Sequence, residues 1–221
     1  MDFFKFIKSL DELLYEVMSW LLFYPLTLWR MIKSPVRTMH ESERELAEDE
    51  QRQFDDRLPP PLFLLLTLIL VHLAELALVG QNELVQSSVG LRALITDDTS
   101  LIIFRILMYS LLPVIAATRL IRARGAKLNK QLLKPPFYAQ CYATAIFTLL
   151  LGVAGIVAHR PSYVLEVYLG LVLVPIVWLI AVETRWFAAE LSSGWLRGFG
   201  QAMRMFAQWL AAFVLIAIAL S

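Results

Sequence analysis

The chain has a single cysteine, Cys141, among 221 residues, and no second thiol that could pair with it. That excludes an internal disulfide and any cysteine-based metal cluster, and leaves Cys141 as a small packing residue within an apolar run. Charge is scarce too: 18% of residues are Asp, Glu, Lys or Arg, and they nearly cancel at a net +1. No overall field recruits nucleic acid, so basic residues matter through their positions rather than their sum. His-Glu-x-x-His is missing, no phosphate-binding glycine loop occurs, and no Ser or Cys has a His that spacing alone would nominate. No enzyme is expected, no cofactor, and no metal, because one His-x-x-Glu pair supplies too few ligands. A cleavable signal is not expected either, since Asp2 opens the chain and the first apolar run ends in no small-residue cleavage site.

What is abundant is hydrocarbon: 58% of residues are hydrophobic and the mean hydropathy is +0.63. A soluble domain of this length cannot bury so much, so the expected class is an all-α polytopic membrane bundle. Five stretches are long enough to cross about 30 Å of hydrocarbon at about 1.5 Å per helical residue. They lie near residues 62–80, 101–121, 137–158, 164–182 and 202–220. Lys and Arg alternate around them: eight precede the first span, one (Arg92) follows it, and six run from Arg119 to Lys134. Arg160 follows the third span, Arg185, Arg197 and Arg204 precede or begin the fifth, and none comes after. Positive residues stay on the cytoplasmic side, so the expected orientation is N-terminus inside and C-terminus external or periplasmic.

Residues 1–35 read as an amphipathic interfacial helix. Asp2, Lys5, Lys8, Asp11, Glu12, Glu16 and Ser19 recur every three or four positions, and Phe3, Phe4, Phe6, Ile7, Leu10, Leu14, Val17 and Trp20 fill the other face. Trp20, Tyr24 and Trp29 are its expected headgroup anchors, with Pro25 breaking the stretch before it can span. A competing reading makes residues 17–32 a short re-entrant segment. Residues 36–60 read as an acidic cytoplasmic linker, a solvated helix or an extended one, because ESERELAEDEQRQFDDR has eight acidic residues, three basic ones and almost nothing to bury. The five-span bundle, residues 61–221, follows.

Charges inside the spans carry the candidate site. Glu75 lies about 20 Å along the first span, and Arg105 and Glu166 enter the second and fourth spans from the opposite side at a similar level. An isolated charge at mid-bilayer costs on the order of 3 kcal/mol, so such residues face a bundle interior and pair. Arg105 therefore needs a carboxylate, Glu75 first and Glu166 second, and His72 lies one turn from Glu75 on the same face. The cluster of His72, Glu75, Arg105 and Glu166 is read either as a structural ion pair with snorkelling neighbours or as the lining of a polar cavity.

Other features divide in the same way. Arg119, Arg122, Arg124, Lys127, Lys130 and Lys134 are candidate ligands for anionic lipid headgroups, with a plain topology signal as the alternative. Trp178 and Trp186 are expected at the cytoplasmic interface beside Glu183 and Arg185. Thr144, Thr148, Gly152 and Gly155 form a small-residue stripe that lets a neighbouring helix approach, whether from this chain or another. Pro113 and Pro175 free the carbonyls of Tyr109 and Leu171.

FRILMYSLLPVI (residues 104–115) resembles a helix of the Yip family, the Ypt-interacting proteins, where an aromatic, a small polar residue, two apolar residues and a proline recur as Tyr109, Ser110, Leu111, Leu112 and Pro113 do here. The segment WLRGFGQAMRMFAQWLAAFVLIAIAL is similar to that family's last span. The resemblance covers about residues 60–220 and implies five spans and a cytoplasmic N-terminus. The family's Asp-Leu-x-Gly-Pro-Leu type segment has only PPPL (residues 59–62) in a comparable place, so binding of a small GTPase is not carried over. Bacterial members, often labelled permeases, are the closer comparison, which implies the bacterial inner membrane. Two functions are thus expected as alternatives: a non-enzymatic membrane-organising or scaffolding component, or a small permease using the polar cluster. Its partners would be membrane lipids and other membrane proteins or a second copy, met through small-residue faces.

Overall fold

The computed structural model describes residues 3–49, 53–80, 98–159 and 165–219. Every regular element among them is a helix. These are α1 (Phe3–Lys33), α2 (Pro35–Glu45), α3 (Pro60–Leu78), α4 (Asp98–Ala123), α5 (Lys130–Ala158), α6 (Leu165–Glu190) and α7 (Trp195–Ala219). Five helices, α3 to α7, are long and apolar enough to cross a membrane.

The bundle is organised around α5, which packs against α2, α3, α4 and α6, while α7 closes the far side against α4 and α6. The reason is in its side chains. Ala139, Ala143, Ala145, Thr144 and Thr148 are buried along α5 and are all small, so neighbours come close. A Cβ placed on Gly152 would lie 2.2 Å from Cγ1 of Val71. The small stripe therefore receives α3 of the same chain at that position. Outward faces are apolar instead of polar, with Leu65, Leu70, Leu73, Val174, Val177, Leu215 and Ile218 exposed, as spans facing lipid require.

The turn between the last two spans is much shorter than the sequence suggests. Residues 184–201 read as a loop, but α6 continues to Glu190 and α7 begins at Trp195. Ser192 takes a left-handed conformation (φ 44°), and Ser193 N–H donates to the Ala188 carbonyl at 2.9 Å, closing the helix end. Gly198 completes the hairpin, since a Cβ there would meet the Thr184 carbonyl oxygen at 2.4 Å.

Pro25 does not break α1, which runs through it as one helix of 31 residues, about 45 Å long. Pro25 sits on the exposed side of the helix, and just beyond it Thr27 Oγ1 donates to the Phe23 carbonyl while accepting from Leu58 N–H. The second half of α1 is tied to the start of α3 by that bond, by Tyr24 Oη to Thr67 Oγ1 at 3.1 Å, and by the Tyr24 ring beside Phe63. Positions 8–18 are exposed throughout.

The acidic segment begins as a helix, one of the two expected forms, but it is packed rather than solvated. Its helix α2 buries Thr38, Met39 and Ser42 beside α5. The chain then folds around Arg57, only 9% exposed, which bonds Glu41 at 2.9 Å, Glu45 at 3.0 Å and Asp56 at 3.0 Å. Tyr142 Oη donates to the Leu58 carbonyl at 2.6 Å, fastening the segment to α5. The acidic excess that suggested solvation is what neutralises Arg57 and Arg30, so the segment can pack.

Candidate functional site: an intramembrane ion pair

α3 carries His72 and Glu75 one turn apart, and α4 brings Arg105 opposite them. Arg105 Nη2 lies 2.5 Å from Glu75 Oε2, and its Nη1 is 3.4 Å from His72 Nδ1. Both charged side chains are about one-fifth exposed, at 19% and 20%. The pair opens on a cavity of about 130 Å³ whose wall includes Tyr109, Thr148, Gly152 and Gly155. Thr148 Oγ1 is buried there and has no hydrogen-bond partner. Gly152 and Gly155 line it without side chains, and at Gly152 this lets Val71 of α3 come close. Three helices thus contribute: cation from α4, acid and imidazole from α3, and a small-residue wall from α5. Glu166, the second expected partner, has its side chain outside the described residues.

A second buried polar group escaped the sequence reading. Glu183, expected at the interface, is 0% exposed and accepts a hydrogen bond from Gln140 Nε2 at 2.8 Å. Glu183 Oε1, Gln140 Oε1, Thr144 Oγ1 and Trp186 Nε1 are all buried without hydrogen-bond partners among the described residues. Trp186 is correspondingly not a headgroup anchor: it is fully buried and stacks edge-on against Phe187 in the core. An indole large enough to fill the space between helices gains more by burial there than at an interface. The signal for this site was present, since Gln140, Thr144 and Thr148 share four-residue spacing on one helical face.

The remaining anchors divide. Trp29 is exposed, whereas Trp20, Tyr24 and Trp178 are half-buried and pack against the core. Of the basic run, Arg122, Arg124, Lys127, Lys130 and Lys134 are exposed. Arg119 turns inward to Gln201 at 2.5 Å and Gln208 at 3.0 Å on α7. Arg124 pairs with Glu190, and Lys134 sits 5.5 Å from the centre of the Tyr138 ring.

Glu190 also joins α2 to the bundle, with His40 Nδ1 at 2.7 Å from its Oε1 and Glu43 nearby. Burial, and then the negative charge of Glu190, push the Glu43 carboxyl up to about 8. Two acids side by side retain a proton more readily than either alone. Asp56 shows the opposite: the Arg30 guanidinium bonded to it at 2.8 Å holds its carboxyl down at about 2.

Chemically, the ion-pair site can hold a few water molecules or a proton, and its volume is well below the roughly 300 Å³ at which small-molecule pockets begin. Compared with family models, with curated proteins and with solved structures, the chain matches none of them significantly.

Proposed function

We propose that this chain is a non-enzymatic membrane-organising or scaffolding component, resembling the Yip family, with its N-terminus cytoplasmic and its C-terminus external in a bacterial inner membrane. The observation that carries the reading is α1. Its first half makes a continuous exposed face of Leu10, Leu14, Val17, Met18 and Leu21 that is left uncovered by the described residues. A face of this kind is stable in a lipid interface or against another membrane protein, and costly in water. The rest of the molecule gives α1 a fixed base through Tyr24, Thr27 and Thr67.

The permease alternative is favoured by one observation, the polar cavity at Arg105 and Glu75. Its small volume argues against any substrate larger than a proton or water, and the ion pair already neutralises its charge. A scaffold accounts for both the tight pair and the open helix face.

Purification in mild detergent tests the choice. The full chain should retain a stoichiometric protein or lipid partner that is lost from the triple variant Leu14→Glu, Met18→Glu, Leu21→Glu. If variant and native chain carry the same partners, α1 is not the contact surface. In proteoliposomes, a proton or solute flux abolished by Glu75→Gln in a folded protein would instead establish the permease.

A further inference from the structure

At the joint between α1 and α2 lies an open cleft of about 430 Å³, unrelated to the intramembrane pair. Its charged lining is Arg30, Lys33, Arg37 and Arg57 against Glu41 and Asp56, four cations to two acids. Both acids are already engaged. Asp56 accepts from Arg30 and Arg57, and Glu41 accepts from Arg37 and Arg57. Lys33 has no ion-pair partner among the described residues, and Arg30 Nη1 is buried with no hydrogen-bond partner. The lining side chains thus sum to +2, or +1 once Glu45, which bonds Arg57 from outside the lining, is counted, and the exposed Lys33 keeps its donors free. Trp29, 63% exposed, stands on its rim, and the exposed Leu22, Leu26 and Ile32 continue the apolar surface along the same helix.

We infer that this cleft binds the phosphate of an anionic phospholipid, with the acyl chains lying along the exposed apolar side of α1. The inference rests on the reading of α1 as an interfacial helix. Charge complementarity selects the headgroup, because the exposed Lys33 can donate to phosphate oxygens without breaking the pairs that fold the segment. The adjoining indole and leucines select a lipid over a free anion, since an indole prefers the headgroup level and leucines prefer the hydrocarbon beneath it.

Native mass spectrometry of the full chain in mild detergent tests this, with short-chain phosphatidylglycerol, the matching phosphatidylcholine and inorganic phosphate as probes. Phosphatidylglycerol should bind at far lower concentration than either. Lys33→Gln with Arg37→Gln should weaken it by about thirtyfold, the loss of two surface cations. Lys33→Gln alone touches no pair in the fold and should give roughly the square root of that loss. Arg197→Gln, an exposed cation at the start of α7 that does not line the cleft, should leave the preference intact. Unchanged phosphatidylglycerol binding in the Lys33 variants, or equal binding of the two lipids, overturns the inference. Inorganic phosphate binding as tightly as phosphatidylglycerol overturns the lipid assignment. Quenching of Trp29 by brominated phosphatidylcholine, taken as the difference from Trp29→Phe, reads the interfacial position of α1 independently of headgroup. Quenching without lipid preference defeats only the cleft; absence of quenching defeats the placement of α1 itself.

Discussion

Glu75 and Glu183 are both carboxyl groups on spans of one bundle, yet their surroundings are opposed. Glu75 faces a guanidinium at 2.5 Å and an open cavity, and keeps one-fifth of its surface. Glu183 has only the amide of Gln140, keeps none of its surface, and leaves one oxygen without a partner. The difference separates two ways of burying acid in an apolar bundle. A matched ion pair makes each partner indispensable to the other, because removing one strands a charge in low dielectric. Glu183, held by an amide, has no counter-ion among the described residues that its removal would strand, so an uncharged isostere should serve equally well.

The largest expected effect tests the first half of that contrast. Arg105→Leu should destabilise the protein by on the order of 3 kcal/mol in detergent unfolding, and Arg105→Leu with Glu75→Gln should recover much of it. Equal stability of the single and double variants would show that the pair is not coupled. Next in size is the wall of the cavity. Gly152→Ala should cost about 1–3 kcal/mol by driving a methyl into Val71, and Val71→Ala should relieve it. A neutral Gly152→Ala in the same unfolding assay would mean that α3 and α5 can separate freely beside the ion pair. The smallest effect is expected at the other acid: Glu183→Gln should change stability by less than about 1 kcal/mol, while Glu75→Gln should be clearly worse. Were the two glutamine variants to cost the same, the proposed difference between the sites would disappear.

The ion pair was legible before any coordinates because each charge lay in a long apolar run, where depth along a helix is simple counting. Arg105 and Glu75 share a level, and a guanidinium at that level requires an acid. The pair buried at Gln140 and Glu183 was harder to see, since both residues lie close to span ends where polar side chains normally reach water. Only the small-residue spacing from Gln140 through Thr148 hinted at an inward face. The acidic segment misled for a related reason. Composition counts Glu41, Glu45 and Asp56 as solvated charge, but Arg30, Arg37 and Arg57 gather them into a neutral cluster, and the segment packs on α5. Trp186 followed the same rule in reverse: proximity to Arg185 suggested an interface, whereas its own helical face points into the core.

Class, the number of spans and the need for a partner at Arg105 follow from local properties: how apolar a run is, how long it is, and which charge interrupts it. These quantities require no knowledge of neighbours. Whether an acidic stretch floats or docks, whether a tryptophan meets lipid or protein, and which glutamate keeps an ion pair depend on residues far apart in the chain. Burial energy is a property of assembled surfaces, and it exists only once α2, α5 and α6 have come together.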